Sequence, residues 1–177
     1  ATLQPVLAEQ LVDSGLARQL TCGSEKKVEW RCSKGHVWSA AVTHRSKGTG
    51  CPYCSGFKAW PGFNDLATLQ PVLARQLVDQ NLATKLTLGS NTKVAWECSV
   101  GHTWMASLAS RSKGNGCPYC GNQKTLPGFN DLATTNPDLA AQLVDPEVAT
   151  SLVAGSRNRV EWRCNLGHMW SAAVMHR

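Results

Sequence analysis

Val28-Glu29-Trp30-Arg31-Cys32-Ser33-Lys34-Gly35-His36-Val37-Trp38, with Gly50-Cys51-Pro52-Tyr53-Cys54 a short way downstream, is the stretch that decides the fold. Val28, Trp30 and Cys32 alternate with Glu29 and Arg31, the period-two pattern of an extended segment with one buried face. His36, Trp38, Ala40 and Val42 alternate in the same way on the return. Ser33-Lys34-Gly35 between them makes a tight turn. The stretch reads as a β-hairpin that carries Cys32 and His36 near its tip and buries Trp30 and Trp38 beneath them.

Cys32-x3-His36, a gap of 14 residues, and Cys51-x2-Cys54 supply four ligand side chains in two short-spaced pairs. Three soft thiolates and an imidazole suit tetrahedral Zn²⁺ in a closed Cys₃His site. A two-residue gap lets both sulfurs of a knuckle face one metal, and the flanking Gly50 and Pro52 permit the turn. A disulfide framework accounts for the residues less well. It leaves one ligand-type cysteine of each copy unpaired and gives the histidine nothing to do. Persistent thiolates place the protein in an intracellular, reducing compartment.

Working outward, the whole pattern repeats. Ala1-Thr2-Leu3-Gln4-Pro5-Val6-Leu7-Ala8 returns as Ala67-Thr68-Leu69-Gln70-Pro71-Val72-Leu73-Ala74, a shift of 66 residues. The same shift carries Trp30 to Trp96 and Trp162, and the first ligand set to Cys98, His102, Cys117 and Cys120. A fixed period of this length marks a tandem array. The expected domains are a first zinc module over residues 1–60, a second over 61–126 and an incomplete third over 127–177. The third holds only a partial site, Cys164 and His168, because it lacks the Cys-Pro-x-Cys segment. Both ends fall inside a repeat, which points to a portion of a longer array. Cys22 becomes Leu88 and then Ala154, so it is expected to be a small buried residue rather than a ligand.

The rest of each period reads as short helices. Asn64 or Asp65 can cap a helical turn after Pro61-Gly62, and Pro71 suits the first turn of the next helix. Val72, Leu73, Gln76, Leu77 and Val78 give that helix a stripe at helical spacing, repeated over Leu3 to Val12 and Leu139 to Val144. The fold class is therefore a small α+β zinc-binding module, a hairpin plus helices, in tandem. A unit of 66 residues buries a marginal core. A structural zinc contributes on the order of 10–16 kcal/mol of apparent binding energy to such a fold.

Val-x-Trp-x-Cys-x3-His-x-Trp, Arg-Ser-Lys-Gly-x-Gly-Cys-Pro-Tyr-Cys and Gly-Phe-Asn-Asp-Leu-Ala together resemble the "probable zinc-ribbon" tandem-repeat family over essentially the whole chain. The resemblance implies a treble-clef-like zinc module. Domains of that kind often occur in tandem, sometimes beside nuclease-type domains.

Charge bears on function. The formal net charge is +6, and from Trp30 to Asn64 there is no acidic residue. Arg31, Lys34, Arg45, Lys47 and Lys58 all fall within that stretch. From Cys98 to Asn130 acids are again absent, with Arg111, Lys113 and Lys124 present. The acids Glu9, Asp13, Asp79, Asp138 and Asp145 sit in the helical part. A positive zinc-bearing half is the asymmetry expected of a phosphate-contacting face, with Tyr53 and Tyr119 placed to stack on bases. The expected function is thus a non-catalytic zinc array that binds the DNA or RNA backbone. The alternative is a structural, protein-interacting subunit of a larger, ribonucleoprotein-type assembly.

An enzyme fits least. Four protein ligands leave zinc no open position for water, and His36 is followed by Val37-Trp38, not the x-Glu of a zinc deaminase. His44 is Ser110 in the second copy. No small-molecule substrate and no membrane insertion are expected, since no stretch approaches the roughly 20 apolar residues of a spanning helix.

Overall fold

The computed structural model describes residues 3–177; Ala1 and Thr2, the first residues of the first module, lie outside the described residues. The first copy runs from helix α1 (Pro5–Ala8) through a 3-10 turn (Ser14–Arg18) to strands β1 (Lys27–Arg31) and β2 (Val37–Ala41), then α2 (Val42–Ser46). The second begins with α3 (Leu66–Leu69) and α4 (Pro71–Ala74), followed by β3 (Lys93–Glu97), β4 (Thr103–Ser107) and α5 (Leu108–Ser112). The third repeats the order as α6 (Leu132–Thr135), α7 (Pro137–Ala140), β5 (Arg159–Arg163) and β6 (Met169–Ala173). Each copy owns one two-stranded sheet, β1-β2, β3-β4 and β5-β6.

The hairpin forms as the alternation requires. β1 and β2 pair antiparallel with Trp30 opposite Trp38, and β5 and β6 place Trp162 opposite Trp170. Trp30, Trp96 and Trp162 are fully buried. The indole of Trp30 donates to the Ala40 carbonyl at 2.9 Å, and that of Trp162 to Ala172 at 3.1 Å. Satisfying the one polar atom lets the ring serve as core, where each such side chain contributes about 4–5 kcal/mol of apolar transfer free energy. Leu7, Leu11, Leu20, Val28, Trp38 and Val42 complete the first core. Leu132, Leu143, Leu152, Trp162 and Val174 form the corresponding cluster in the third copy.

The helical stripe is shorter than expected. α4 covers only Pro71–Ala74, and Val72 and Val78 are 71% and 53% exposed. The backbone leaves the helix to become a short third strand beside the hairpin. In the first copy Arg31 N–H donates to Gln10 O at 2.7 Å and Val12 N–H to Glu29 O at 3.0 Å, which sets Leu11 against Trp30. Leu143 meets Trp162 in the same way. An extended segment with period two buries Leu11 and turns its neighbour Val12 outward, so only part of the apolar pattern belongs to a helix. Cys22, expected buried, is half-buried.

The chain divides into two compact units. One runs to Val94 and includes Ala106–Lys113; the other comprises Ala95–Met105 and Gly114–Arg177. Within the first, the linker residues Asn64 and Asp65 face opposite ways along the chain. Asn64 donates from Nδ2 to the Tyr53 and Lys58 carbonyls at 2.6 and 2.9 Å, pinning the loop that follows the first knuckle. Asp65, fully buried, accepts from Gly62 N–H, Thr68 N–H and Thr68 Oγ1 at 2.6, 3.0 and 2.7 Å, capping α3. Leu66 N–H then donates to Leu86 O at 2.9 Å in the next copy. In the second unit Asn130 holds the Tyr119 and Lys124 carbonyls and Asp131 caps α6 through Thr134 and Gly128. No helix among the described residues is long and apolar enough to cross a membrane.

Burial alone would raise the Asp65 carboxyl, but the Thr68 hydroxyl and the Thr68 and Gly62 amides outweigh it and hold it below the ordinary value. A depressed folded-state value stabilises the fold above the unfolded pKa of about 3.9, and the contribution is lost as pH falls through the lower one. Asp65→Ala is expected to cost about 1–2 kcal/mol, the upper range for an N-cap, seen as an earlier urea midpoint of the zinc-loaded protein. An unchanged midpoint would mean that the cap contributes nothing to stability.

Candidate metal centre

The turn at each hairpin tip is made by the backbone. Cys32 N–H donates to His36 O at 3.1 Å and Gly35 N–H to Cys32 O at 2.9 Å. Gly35 has φ +82°, a left-handed conformation that a side chain would strain, and Gly101 and Gly167 repeat it at +90° and +84°. This knuckle aims the Cys32 sulfur and the His36 ring the same way. Pro52 and Tyr53 turn the second pair toward them, with Ser55 N–H closing on Cys51 O at 3.0 Å.

The four side chains converge. His36 Nδ1 lies 3.5, 3.7 and 3.3 Å from the sulfurs of Cys32, Cys51 and Cys54, and Cys32 Sγ lies 3.8 Å from Cys54 Sγ. In the second copy His102 Nδ1 lies 3.6, 3.7 and 3.3 Å from Cys98, Cys117 and Cys120, with Cys98 and Cys120 at 3.9 Å. A zinc with bonds of about 2.3 Å to sulfur and about 2.0–2.1 Å to nitrogen has tetrahedral edges of about 3.5–3.6 Å (N···S) and about 3.75 Å (S···S). The observed edges match those values in both copies, so the residues fit the ion. His36 Nδ1 and His102 Nδ1 are the coordinating nitrogens. All eight cysteines are free thiols, and the two tetrads are the sets whose ligand atoms lie within 4.8 Å of one another.

Electrostatics favour a dication at the centre. Burial works to raise the Cys32 thiol, but amides of the knuckle turn and the Cys54 and Cys51 thiols outweigh it and lower it. Cys54 is pushed up to about 11 by desolvation and then by its hydrogen bonds to, and the charges of, Cys32 and Cys51. Cys98 is lowered and Cys120 raised to about 11 by the same balance. Three sulfurs this close cannot all ionise unaided. Zinc displaces the retained protons, so its apparent affinity rises with pH.

The surroundings orient the ligands. The His36 ring, 4% exposed, packs against Tyr53, Trp60 and Phe63 at centroid distances of 5.5, 5.0 and 4.6 Å. His102 meets Tyr119 and Phe129 at 5.7 and 4.2 Å. Phe63 and Phe129 belong to the linker motif Gly-Phe-Asn-Asp, so the segment that leaves a module also clamps its histidine. Arg45 lies beneath the site. Its guanidinium donates to Gln10 Oε1 and the Thr49 carbonyl and sits 5.2 Å from the ring centres of both Trp30 and Trp38. Burial lowers its pKa while the Cys51 thiolate draws it back up.

These observations define a class: tandem modules that each close a structural Cys₃His zinc site between a β-hairpin and a second knuckle. The family model described as the probable treble clef zinc finger domain matches residues 7–57 and again residues 73–123, and the chain belongs to that family. No curated protein matches the chain.

The third copy keeps the first knuckle, with Cys164 N–H to His168 O at 3.0 Å and Gly167 N–H to Cys164 O at 2.9 Å. Cys164 is half-buried and His168 exposed. They form half a tetrad.

The predicted cationic contacts divide. Arg45 and Arg111 are 7% and 8% exposed, and Arg111 donates to Gln76 as Arg45 does to Gln10. Both are withdrawn from the phosphate-contacting set, because the sequence shows their charge but not the brace that occupies it. Gln10, Gln76 and Gln142 were missed, and Gln76 was assigned to an apolar stripe. The available signal was the return of the same Gln–Arg pair in every copy, including Gln142 with Arg177 at 2.6 Å. Tyr53 is half-buried against His36 and Trp60, and Tyr119 against His102. Their rings serve the ligands rather than a base. Lys34 is exposed but stands 4.8 Å over the Phe63 ring. Arg31, Lys47, Lys58, Lys113 and Lys124 are exposed.

Elemental analysis of the purified chain is expected to find two zinc ions, one after Cys54→Ser, and still two after Cys164→Ser. A third ion lost with Cys164 would show that the half-tetrad closes. Chelation is expected to abolish most of the near-ultraviolet tryptophan dichroism of the two complete modules, since each depends on about 10–16 kcal/mol of metal binding.

Proposed function

We propose that the chain is a non-catalytic zinc-finger array that binds the nucleic-acid backbone through exposed lysines on the zinc-bearing half of each complete module. The observation that carries this is the recurrence of Lys47 as Lys113 and of Lys58 as Lys124, all exposed, in stretches without a single carboxylate. Lys47 and Lys113 cap the C-terminal ends of α2 and α5. Each is followed by a left-handed glycine, Gly48 at φ +91° or Gly114 at +93°. The turn throws the lysine outward two residues after the buried arginine. Phosphate contacts of this kind position a protein without reading sequence.

The protein ligands fill all four positions around each zinc, which supports a structural rather than catalytic role. Free thiols at both sites support a reducing, intracellular setting. One feature favours the protein-interaction reading. The knuckle tip changes from Lys34 to Val100, 61% exposed, and Leu166, 83% exposed, so the later copies offer apolar tips.

The test is binding of the zinc-loaded chain to DNA and RNA oligonucleotides across a salt series. Affinity in or above the non-specific range, a Kd of about 10⁻⁴–10⁻⁶ M, is expected to fall steeply with salt and to drop further in Lys47→Glu/Lys113→Glu. No binding at low salt would move the assignment to a protein-facing module.

A further inference from the structure

A cleft of about 830 Å³ opens between the loop that follows the first zinc knuckle and residues 84–92, all within one unit of the fold. Phe57 on its wall is 82% exposed, a large apolar ring left in water. Lys58 follows it directly, and Lys85 stands on the other wall; both are exposed. Thr84, Asn91 and Thr92 add exposed hydrogen-bonding groups, and no acidic residue lines the cleft among the described residues.

Both walls are held without a ligand. Asn64 fixes the Lys58 carbonyl at 2.9 Å, Leu66 N–H fixes Leu86 O at 2.9 Å, and Ser90 Oγ accepts from Thr92 N–H at 3.2 Å. A preformed cleft binds without the cost of ordering its loops.

We infer that this cleft is a binding site for single-stranded nucleic acid, with a base stacked on Phe57 and the flanking phosphates neutralised by Lys58 and Lys85. The inference rests on the nucleic-acid reading above and narrows its ligand. A flat apolar ring between two cations matches the alternation of base and phosphate along a strand, whereas a free phosphate has no use for the ring. A duplex keeps its base faces stacked and is read by inserting a helix or ribbon into a groove. No helix among the described residues exceeds six residues. The second copy carries Lys124 in place of Lys58 but Gln123 in place of Phe57 and Ser151 in place of Lys85. Stacking is therefore a property of this one cleft, and a single substitution tests it.

The experiment is fluorescence anisotropy of the zinc-loaded full chain with labelled oligonucleotides of one sequence, single-stranded and duplex. Phe57→Ala is expected to weaken single-strand binding about tenfold and duplex binding by less than about twofold. Lys58→Glu/Lys85→Glu is expected to weaken single-strand binding further and to flatten its salt dependence. Zinc content checks that each variant is folded. If Phe57→Ala changes neither affinity while Lys47→Glu/Lys113→Glu lowers both, the cleft assignment fails and the backbone-binding array stands. Equal losses on both oligonucleotides also overturn it. If the unsubstituted chain binds no oligonucleotide, both readings fall.

Discussion

Four ligand atoms gathered within bonding distance of one point are what the rest of each module depends on. A hairpin of two five-residue strands and helices of four or five residues do not hold together alone. The tetrad joins the hairpin tip to a knuckle arriving 15 residues after the histidine. The buried tryptophan, the arginine stacked on it and the aromatic clamp on the histidine are all arranged around that junction. The metal replaces the area that a larger core would supply.

The three copies separate what the metal requires from what the hairpin requires. The third lacks the second knuckle, yet its first knuckle keeps its backbone hydrogen bonds and Trp162 is still fully buried. Arg177 still reaches Gln142 and still lies over Trp162 and Trp170, at 5.4 and 4.8 Å. The Gln–Arg–Trp brace therefore belongs to the hairpin and its neighbouring strand. The aromatic box around His36 and His102 belongs to the metal, because Tyr53 and Tyr119 sit between the knuckle cysteines and Phe63 and Phe129 in the segment just beyond.

Much of this was legible in the sequence because ligand spacing and strand alternation are local. The ligand set, the hairpin, the tryptophan core and the cap at Asp65 could each be read from fewer than ten consecutive residues. What could not be read depends on partners far along the chain. Arg45 looks like a surface cation until Gln10, 35 residues away, and two indoles are seen to occupy it. Val72 and Val78 look like a helix face until Leu77's neighbours are seen in an extended segment, where hydrogen bonds to the hairpin replace helical ones. Asn64 is polar, loop-like and unremarkable in sequence. Its importance comes from two carbonyls in the preceding loop.

Asn64 and Asp65 are consecutive, and one grips the module before while the other grips the module after. No slack residue lies between the two grips. A pull applied along the array reaches the first module through Asn64 and the Tyr53 carbonyl, one residue from a zinc-bound sulfur. The covalent metal–thiolate bonds thus lie directly behind the weakest polar contacts in the line of force. Under tension the linker gives way first, leaving the metal-centred modules as intact beads on an extended string.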